Sequence, residues 1–327
     1  MAQPQAMAEI WRGGILESVH PGHAVICDGA GVVQAWGDPD AVILPRSSCK
    51  MVQALPLLES GADLSQKQMA LVCASHQGAA LHTGHVARWL ADLGLRESDL
   101  RCGTHEPYDR TERDRLIVAG EGPCQLHNNC SGKHAGFLML NQRMKGDAEY
   151  VDPAHPMQVA IRQAFEEVTG EASPGYGIDG CSAPNFATSV HGLARAMAAF
   201  AGATGTGDAR DRAMFALTRA MSAHPDLVAG EGRACTELMH AMGGRVAIKT
   251  GAEAVFVAIV PELRMGIALK ITDGGTRGAE AAIAALLVRQ GVLDADHPAT
   301  LKRLNAVQRN WRGIETGVIR AAPGFPA

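Results

Sequence analysis

RVAIKTGAEAVFVAIVPELRMGIALKIT, residues 245–272, is the part of the sequence that says most about the fold. It contains three apolar, largely β-branched runs separated by short gaps, namely Arg245–Lys249, Ala254–Val260 and Met265–Ile271. Such runs with short connections predict an antiparallel meander of three strands. The Ala-rich stretch that follows, residues 276–290, predicts a helix that ends at Gly291.

Strand character is also found in the first 40 residues of the chain. Three short runs, at residues 15–20, 24–27 and 32–36, are separated by Pro21-Gly22 and by the Asp-Gly-Ala-Gly sequence of residues 28–31. Both separators have the composition of turns. We therefore predict two or three strands before the first helix.

Apolar residues of the middle of the chain recur at helical spacing, as at Met51, Leu55 and Leu58. The strands at either end are too few to form a stable sheet alone, so we expect them to pair with each other. The sequence therefore predicts one compact α+β domain over residues 1–327. Its antiparallel sheet part is about 1–47 and 244–327, and its helical part is about 48–243.

Composition and charge exclude several classes of protein. The chain has 327 residues, with 30 basic against 34 acidic residues and a net charge of −4, which argues against binding to nucleic acid or anionic membranes. No apolar stretch approaches about 20 residues, and the N-terminus lacks the basic start and apolar run of a secretory signal. The eight cysteines are scattered, as is typical of reduced thiols. We therefore expect a cytoplasmic protein with no membrane or nucleic-acid partner.

A serine and a lysine lie three residues apart where strand character gives way to helix, in Ser47-Ser48-Cys49-Lys50. On a helix Ser47 and Lys50 share a face, and a lysine whose pKa is lowered by burial can take the proton of a serine hydroxyl. The alternative is a helix cap followed by a solvated lysine. Either serine can be the cap, so the spacing leaves open which of them attacks.

Two further segments fit the same chemistry. Lys249-Thr250-Gly251 ends a strand of the meander, where such a box lines the cleft of serine hydrolases. Ser75 follows a predicted helix. Taken alone, Ser75 is as well explained by the end of a helix and a turn.

A group of nitrogen and sulfur side chains opens another predicted helix. Cys130, Lys133 and His134 fall at helical spacing on one face, and Asp179 and Cys181 lie in a later Gly-rich turn. Zinc favours thiolate and imidazole ligands. The spacing indicates a zinc site formed by Cys130, Cys181 and either His134 or Asp179, and the alternative is two buried thiols.

Together these segments resemble the Rhizobium etli-type L-asparaginases. The matching stretches follow one another along most of the chain: Arg46–Lys50, Cys73–His76, Gly103–Pro107, Asn129–Gly136, Gly177–Pro184 and Lys249–Glu253. The resemblance implies a fold similar to serine β-lactamases and glutaminases. The sequence departs from the family at Ala254, where the resemblance leads us to expect glycine.

The resemblance also implies the activity, the metal and the residues that serve them. It implies hydrolysis of L-asparagine to L-aspartate and ammonia by a homodimer. The implied site residues comprise a catalytic group (Ser47 with Lys50, and Ser75 with Lys249), a substrate-binding group (Arg46, His134 and Asp179) and the zinc ligands (Cys130, Lys133 and Cys181). The alternatives are a glutaminase or β-lactam-type serine hydrolase on the same fold, or a non-catalytic zinc- or amino-acid-binding protein.

Overall fold

The computed structural model describes residues 2–326. The strands of the described chain are β1 (Gln5–Arg12), β2 (Ile15–Asp28), β3 (Gly31–Trp36), β4 (Val42–Ile43), β5 (Tyr176–Ile178), β6 (Pro184–Phe186), β7 (Thr188–Ser189), β8 (Ala247–Gly251), β9 (Val255–Val260), β10 (Met265–Ile271), β11 (Ala306–Arg309) and β12 (Glu315–Ala321). The α-helices are α1 (Lys50–Gln53), α2 (Leu55–Glu59), α3 (Gln66–Val72), α4 (Ala80–Asp92), α5 (Arg110–Ala119), α6 (Ser131–Met144), α7 (Pro156–Thr169), α8 (Val190–Gly202), α9 (Ala209–Ala223), α10 (Pro225–Val228), α11 (Ala234–Ala241), α12 (Thr276–Arg289) and α13 (Pro298–Leu301).

The described chain folds as two compact units. The first contains the residues up to Ser48, Thr188–Gly202 and the residues from Glu237 onward, and the second contains Cys49–Ala187 and Ala203–Thr236. The prediction of a single domain over residues 1–327 stays a prediction, and its two end residues lie outside the described range.

The first unit is built on an eight-stranded antiparallel sheet. Its strand order is β11-β12-β1-β2-β10-β9-β8, and β3 also pairs with β2. The N-terminal strands β1 and β2 lie between C-terminal strands on both sides, as in the registers Ala8 to Ala321 and Ile26 to Ile267. Helices α8 and α12 pack on it. The predicted α+β class, with one antiparallel sheet formed from both ends of the chain, is confirmed.

The N-terminal strands differ from the prediction at Pro21-Gly22, which is not a turn. Strand β2 continues through both residues, beside an irregularity in its pairing with β1. A Cβ on Gly22 would lie 2.4 Å from the carbonyl oxygen of Lys270. The glycine is therefore needed for the close approach of β10, and the bulged pairing tolerates a proline without an N–H group.

The boundary between sheet and helical parts also differs from the prediction, because α8 belongs to the sheet unit. A Cβ on Gly266 of β10 would lie 2.1 Å from the backbone nitrogen of Ala198. Such an approach between a helix and a strand is possible only at glycine. The short strands β5 to β7 also lie inside the stretch that was predicted to be helical.

The second unit is mainly helical, and its helices begin and end where their local sequence indicates. Ser65 caps α3 in a capping box with Gln68. Helix α7 ends at Gly170, which adopts a left-handed conformation with φ of 71°. No helix among residues 2–326 is long and apolar enough to cross a membrane.

Candidate active site

The turn that carries Ser47 belongs to the first unit and assigns different tasks to its two serines. Residues Arg46–Cys49 form a 3-10 turn. The Ser48 hydroxyl is buried and donates a hydrogen bond to the carbonyl oxygen of Pro45 at 2.7 Å. Ser47 is only half-buried. Ser48 therefore supports the turn, and the assignment of the attacking serine stays a prediction.

Arg46, directly before Ser47, is held in a left-handed backbone conformation with φ of 53°. A non-glycine residue there costs of the order of 1–3 kcal/mol and is concentrated at functional sites. The strained residue lies where the resemblance implies a contact to substrate.

Strand β8 brings the Lys249-Thr250-Gly251 box alongside this turn. A Cβ on Gly251 would lie 2.6 Å from the Pro45 oxygen and 3.1 Å from the Ser48 nitrogen, so only glycine fits there. Lys249 lies two residues earlier, on the same face of the strand. It is buried, and its Nζ donates a hydrogen bond to the carbonyl oxygen of Thr250 at 2.7 Å. The first unit therefore brings two of the sequence-predicted boxes together.

The turn that follows this box shows why the resemblance leads us to expect glycine at position 254. Glu253 and Ala254 both have φ of 58° in the connection from β8 to β9. Glycine adopts this conformation without strain, whereas alanine does not. The glycine expected at Ala254 is the residue that the backbone favours.

In the second unit, Lys50 makes hydrogen bonds to several of the candidate site residues. Its Nζ donates hydrogen bonds to the carbonyl oxygen of Ala74, to Ser75 Oγ at 3.0 Å and to Cys130 Sγ at 3.1 Å. These three partners occupy all the positions around Nζ that are not taken by its bond to carbon. The structure thus brings Ser75 to Lys50, and the pairing of Ser75 with Lys249 that the resemblance implies stays a prediction.

A thiol pair and a second lysine lie next to Lys50. Lys133 Nζ donates to Cys181 Sγ at 3.1 Å. The contact with Cys181 and burial raise the pKa of Cys130, whereas the Cys130 thiol and the Lys133 ammonium hold the pKa of Cys181 well below its ordinary value. Burial opposes a charge on Lys133, but the two sulfur atoms outweigh it and raise its pKa. The pair therefore holds a thiolate on Cys181 next to an ammonium.

His134 presents a nitrogen that carries a proton but has no hydrogen-bond partner. The backbone N–H of Arg101 donates to Tyr150 Oη at 2.8 Å, so the tyrosine proton points to His134 Nδ1 at 2.9 Å. This arrangement assigns the ring proton to Nε2. Nε2 is buried without a hydrogen-bond partner. Burial lowers the pKa of His134, and the nearby Cys181 favours a proton on the ring without reversing that shift.

Asp179 and Cys181 lie in the turn between β5 and β6. The backbone N–H of Asp179 donates to the carbonyl oxygen of Ala183 at 2.9 Å, which closes the turn. Asp179 is half-buried, and its charge contributes to the raised pKa of Lys133. Its charge therefore acts on the cluster of Lys133 and Cys181, and its contact with a substrate stays a prediction.

The ligand sets derived from spacing alone are not assembled. Among residues 2–326, no group of three or more His, Cys, Asp or Glu side chains is arranged to hold a metal ion. Neither His134 nor Asp179 therefore completes a site with the two cysteines. The side chains of the set implied by the resemblance, Cys130 and Cys181 with Lys133, do converge through the contacts described above. The two sulfur atoms are of the type that zinc binds, whereas the raised pKa of Lys133 opposes the neutral amine that a metal ligand must be.

Sequence reasoning missed two residues of this site. Asn129 Oδ1 lies 2.9 Å from Cys130 Sγ, and Tyr150 fixes the orientation of His134. Asn129 lies inside a matching stretch, so its neighbour Cys130 could have indicated it. Tyr150 lies in none of those stretches, and no local pattern points to it.

Comparisons with known proteins identify the family of the chain. The family model described as L-asparaginase II matches residues 8–321. No curated protein shows significant similarity to the chain.

Several solved structures are similar to this one. They include a putative beta-lactamase from Bacteroides dorei DSM 17855 (13% identity, 83% of this chain and 93% of that chain, TM-score 0.45). A beta-lactamase from Mycobacterium bovis has 13% identity and a TM-score of 0.34 over 83% of this chain and 95% of that chain. Mglu in its native form has 14% identity and a TM-score of 0.41 over 88% of this chain and 69% of that chain. These TM-scores are too low to support a conclusion about activity.

Proposed function

Because the chain belongs to the L-asparaginase II family, it is an amidohydrolase of that family, and we propose that it hydrolyses L-asparagine to L-aspartate and ammonia. The observation that best supports this is the burial of Lys50, Lys133 and Lys249, each 1% exposed. Lysine is almost never fully buried unless a paired or functional role requires it. Two of the three also lie beside a serine or thiol that can take part in acyl transfer.

In the proposed mechanism, the Ser47 hydroxyl attacks the side-chain amide carbon and Lys50, as the neutral amine, accepts its proton. Ser75 and Lys249 pass a proton to the leaving ammonia, and water then releases the acyl group. Backbone N–H groups near the start of the first helix stabilise the oxyanion, a contribution of about 3–4 kcal/mol per donor in known hydrolases. The half-buried position of Ser47 supports its role as nucleophile.

The distance of 3.0 Å between Lys50 Nζ and Ser75 Oγ favours a second assignment of the nucleophile. A neutral Lys50 has a lone pair that can accept the Ser75 proton directly. In this version Ser75 attacks the amide, and Ser47 helps to hold the substrate.

Recognition of asparagine requires partners for a carboxylate and an ammonium group. We assign the carboxylate to the Arg46 guanidinium, which suits planar bidentate recognition, and the ammonium to Asp179. The buried Nε2–H of His134 is the remaining donor. A substrate that accepts this hydrogen bond would lie next to Cys181, which also interacts with the His134 ring.

Zinc is proposed as the metal, with Cys130, Lys133 and Cys181 as its ligands. When bound there, it would supply a positive charge that polarises the substrate. Lys133 must lose its proton to bind a metal, so binding would release protons. The protein is further proposed to be a cytoplasmic homodimer. Within residues 2–326 none of the eight cysteines forms a disulfide bond, which is in keeping with a reducing compartment.

Ammonia release from asparagine, with and without a chelator, tests the activity and the role of the metal. Glutamine is assayed in parallel, because it differs from asparagine by one methylene group, which an enzyme discriminates by only about 1–3 kcal/mol. A coloured cephalosporin is assayed as well, to test for β-lactam hydrolysis. Faster turnover of either compound than of asparagine would contradict the proposed substrate. Thermal stabilisation by asparagine without any turnover would indicate a binding protein instead.

Two serine variants identify the nucleophile. Ser47→Ala should lose activity by at least about a thousandfold, the scale on which a missing catalytic group acts. Ser98→Ala, at an exposed position, is the matched control and should keep full activity. An active Ser47→Ala protein together with an inactive Ser75→Ala protein would assign the attack to Ser75.

A further inference from the structure

The loop between β8 and β9 holds two neighbouring residues in a strained backbone conformation. Gly251 and Val255 close this hairpin, so the loop is Ala252 to Ala254. Glu253 and Ala254 both have φ of 58°. The left-handed conformation is strained for residues that carry a Cβ, and it persists only where the surrounding structure holds it. Two such residues in succession therefore require specific support.

Strand β10 supplies this support at two consecutive carbonyl groups. The Nζ of Lys270 donates a hydrogen bond to the carbonyl oxygen of Glu253. The backbone N–H of Ile271 donates to the carbonyl oxygen of Ala254 at 3.1 Å. The two carbonyls belong to the peptide groups on either side of Ala254, so together these bonds restrict its φ and ψ. Of the two, only the bond from Lys270 depends on a side chain.

Lys270 belongs to a row of residues that ends at the candidate active site. It lies opposite Val255 of β9, and Val255 lies opposite Gly251 of β8, so the three share one face of the sheet. Gly251 packs directly on the turn that carries Ser47, where a Cβ would lie 3.1 Å from the Ser48 nitrogen. A displaced loop would therefore disturb the packing of β8 on this turn.

We propose that Lys270 is a positioning residue for the hydrolysis, which holds the loop at Ala254 and thereby fixes Lys249 relative to the turn of Ser47. Because it concerns the same site, this role rests on the proposed function. Lys270 acts through the loop and contacts neither the substrate nor the reacting atoms. Without its hydrogen bond the loop leaves the left-handed conformation more often, and a misplacement of about 1 Å can cost about a hundredfold in rate.

The charge of Lys270 suggests a different role that the test must separate from this one. Burial lowers the pKa of Lys270, the charges of Glu253 and Asp273 oppose this shift, and the charge of Arg46 reinforces it. Lys270 therefore lies in the electric field of Arg46, and a second cation there would bind the same substrate carboxylate. That role requires the ammonium group but does not depend on strain at position 254. Ala254→Gly therefore distinguishes the two roles.

The test is a double-mutant cycle of Lys270→Met and Ala254→Gly, assayed by ammonia release from asparagine. Methionine is of similar length but cannot donate a hydrogen bond, and position 270 is only half-buried, so the variant should fold. We expect Lys270→Met alone to lower kcat about tenfold and to leave KM within about threefold. Glycine adopts the left-handed conformation without strain, so in the Ala254→Gly background the same substitution should lower kcat by less than about threefold.

The control for the loss of a lysine in the same unit is Lys302→Met. Lys302 is exposed and pairs with Glu237 at 2.8 Å, and it makes no contact with the loop. This variant should keep the wild-type kcat.

Hydrogen–deuterium exchange of the native protein measures the loop independently of any activity. The Ile271 amide, which donates to Ala254, should exchange about tenfold faster in Lys270→Met than in the wild type, and less than about threefold faster in the double variant. A wild type that releases no ammonia would count against the proposed function. The exchange rates would still decide whether Lys270 holds the loop.

Three results would overturn the proposal. The first is a change in kcat on Lys270→Met that is the same with either residue at position 254, including no change at all. The second is a loss of activity that appears mainly as a raised KM, as expected for a cation that binds the substrate. The third is an Ile271 amide that exchanges at the wild-type rate in Lys270→Met.

Discussion

Replacement of Lys50 separates its role as a base from its role as a buried charge. Lys50→Met removes both, whereas Lys50→Arg keeps the charge, because a guanidinium stays protonated in proteins and cannot accept a proton. A missing general base costs about 10²–10⁴-fold in rate. If Lys50 is the base, both variants should therefore lose about 3–5 kcal/mol of transition-state stabilisation.

Both variants should remain folded. In the wild type, Lys50 donates to Ala74, Ser75 and Cys130. Hydrogen bonds to a charged group contribute about 1.5–3 kcal/mol each, but removing a buried ammonium recovers several kcal/mol of desolvation cost. We expect Lys50→Met to lose no more than about 4 kcal/mol, which most domains of this size tolerate.

The assay is ammonia release at saturating asparagine, with urea unfolding of each variant as the measure of folding. Lys67→Met, at an exposed position, is the matched control and should keep both activity and stability. Catalysis by Lys50→Arg at more than a tenth of the wild-type rate would show that the positive charge, and not proton transfer, is what Lys50 supplies.

Three further predictions follow from packing, protonation and the proposed metal. Gly266→Ala should lose about 1–3 kcal/mol of unfolding free energy in urea, because the new Cβ would lie 2.1 Å from the backbone nitrogen of Ala198. Gly29→Ala is the control, since its new Cβ meets no atom within 4 Å. Equal losses in the two variants would contradict this packing. Burial holds the pKa of His76 well below its ordinary 6.5, so as the pH falls the imidazole is protonated in the unfolded chain before it is protonated in the folded chain. The free energy of unfolding should therefore decrease below pH 6.5, by at most about 1.4 kcal/mol per pH unit. If His76→Gln left the dependence of this free energy on pH unchanged, the prediction would be refuted. Zinc at a hundredfold excess over its dissociation constant should stabilise the wild type by about 2.7 kcal/mol in thermal unfolding, and the same gain in Cys181→Ser would exclude this residue as a ligand.

Sequence alone could predict the elements whose pattern is complete within one segment. The strand Met265–Ile271 and the helix Thr276–Arg289, which ends before Gly291, lie where periodicity and capping residues indicated. Helical spacing and capping depend on residues at most four positions apart, so the information is local. The order of the matching stretches along the chain also identified the family, which the match over residues 8–321 shows.

Other features depended on contacts between distant parts of the chain. Strand β1 was not predicted, and it is held between β2 and β12 in registers such as Ala8 to Ala321. Helix α8 joined the sheet unit because Gly266 lets it approach β10, which the helical pattern of residues 190–202 cannot show.

In the candidate site, too, some features were predictable from the sequence and others depended on the tertiary structure. The residue types and their order could be read along the chain, but their partners could not: Lys50 meets Ser75 and Cys130, which lie 25 and 80 residues away. A buried donor binds the acceptor that packing brings within about 3 Å. That choice belongs to the tertiary structure, because distance along the chain does not limit which acceptor a folded backbone brings near.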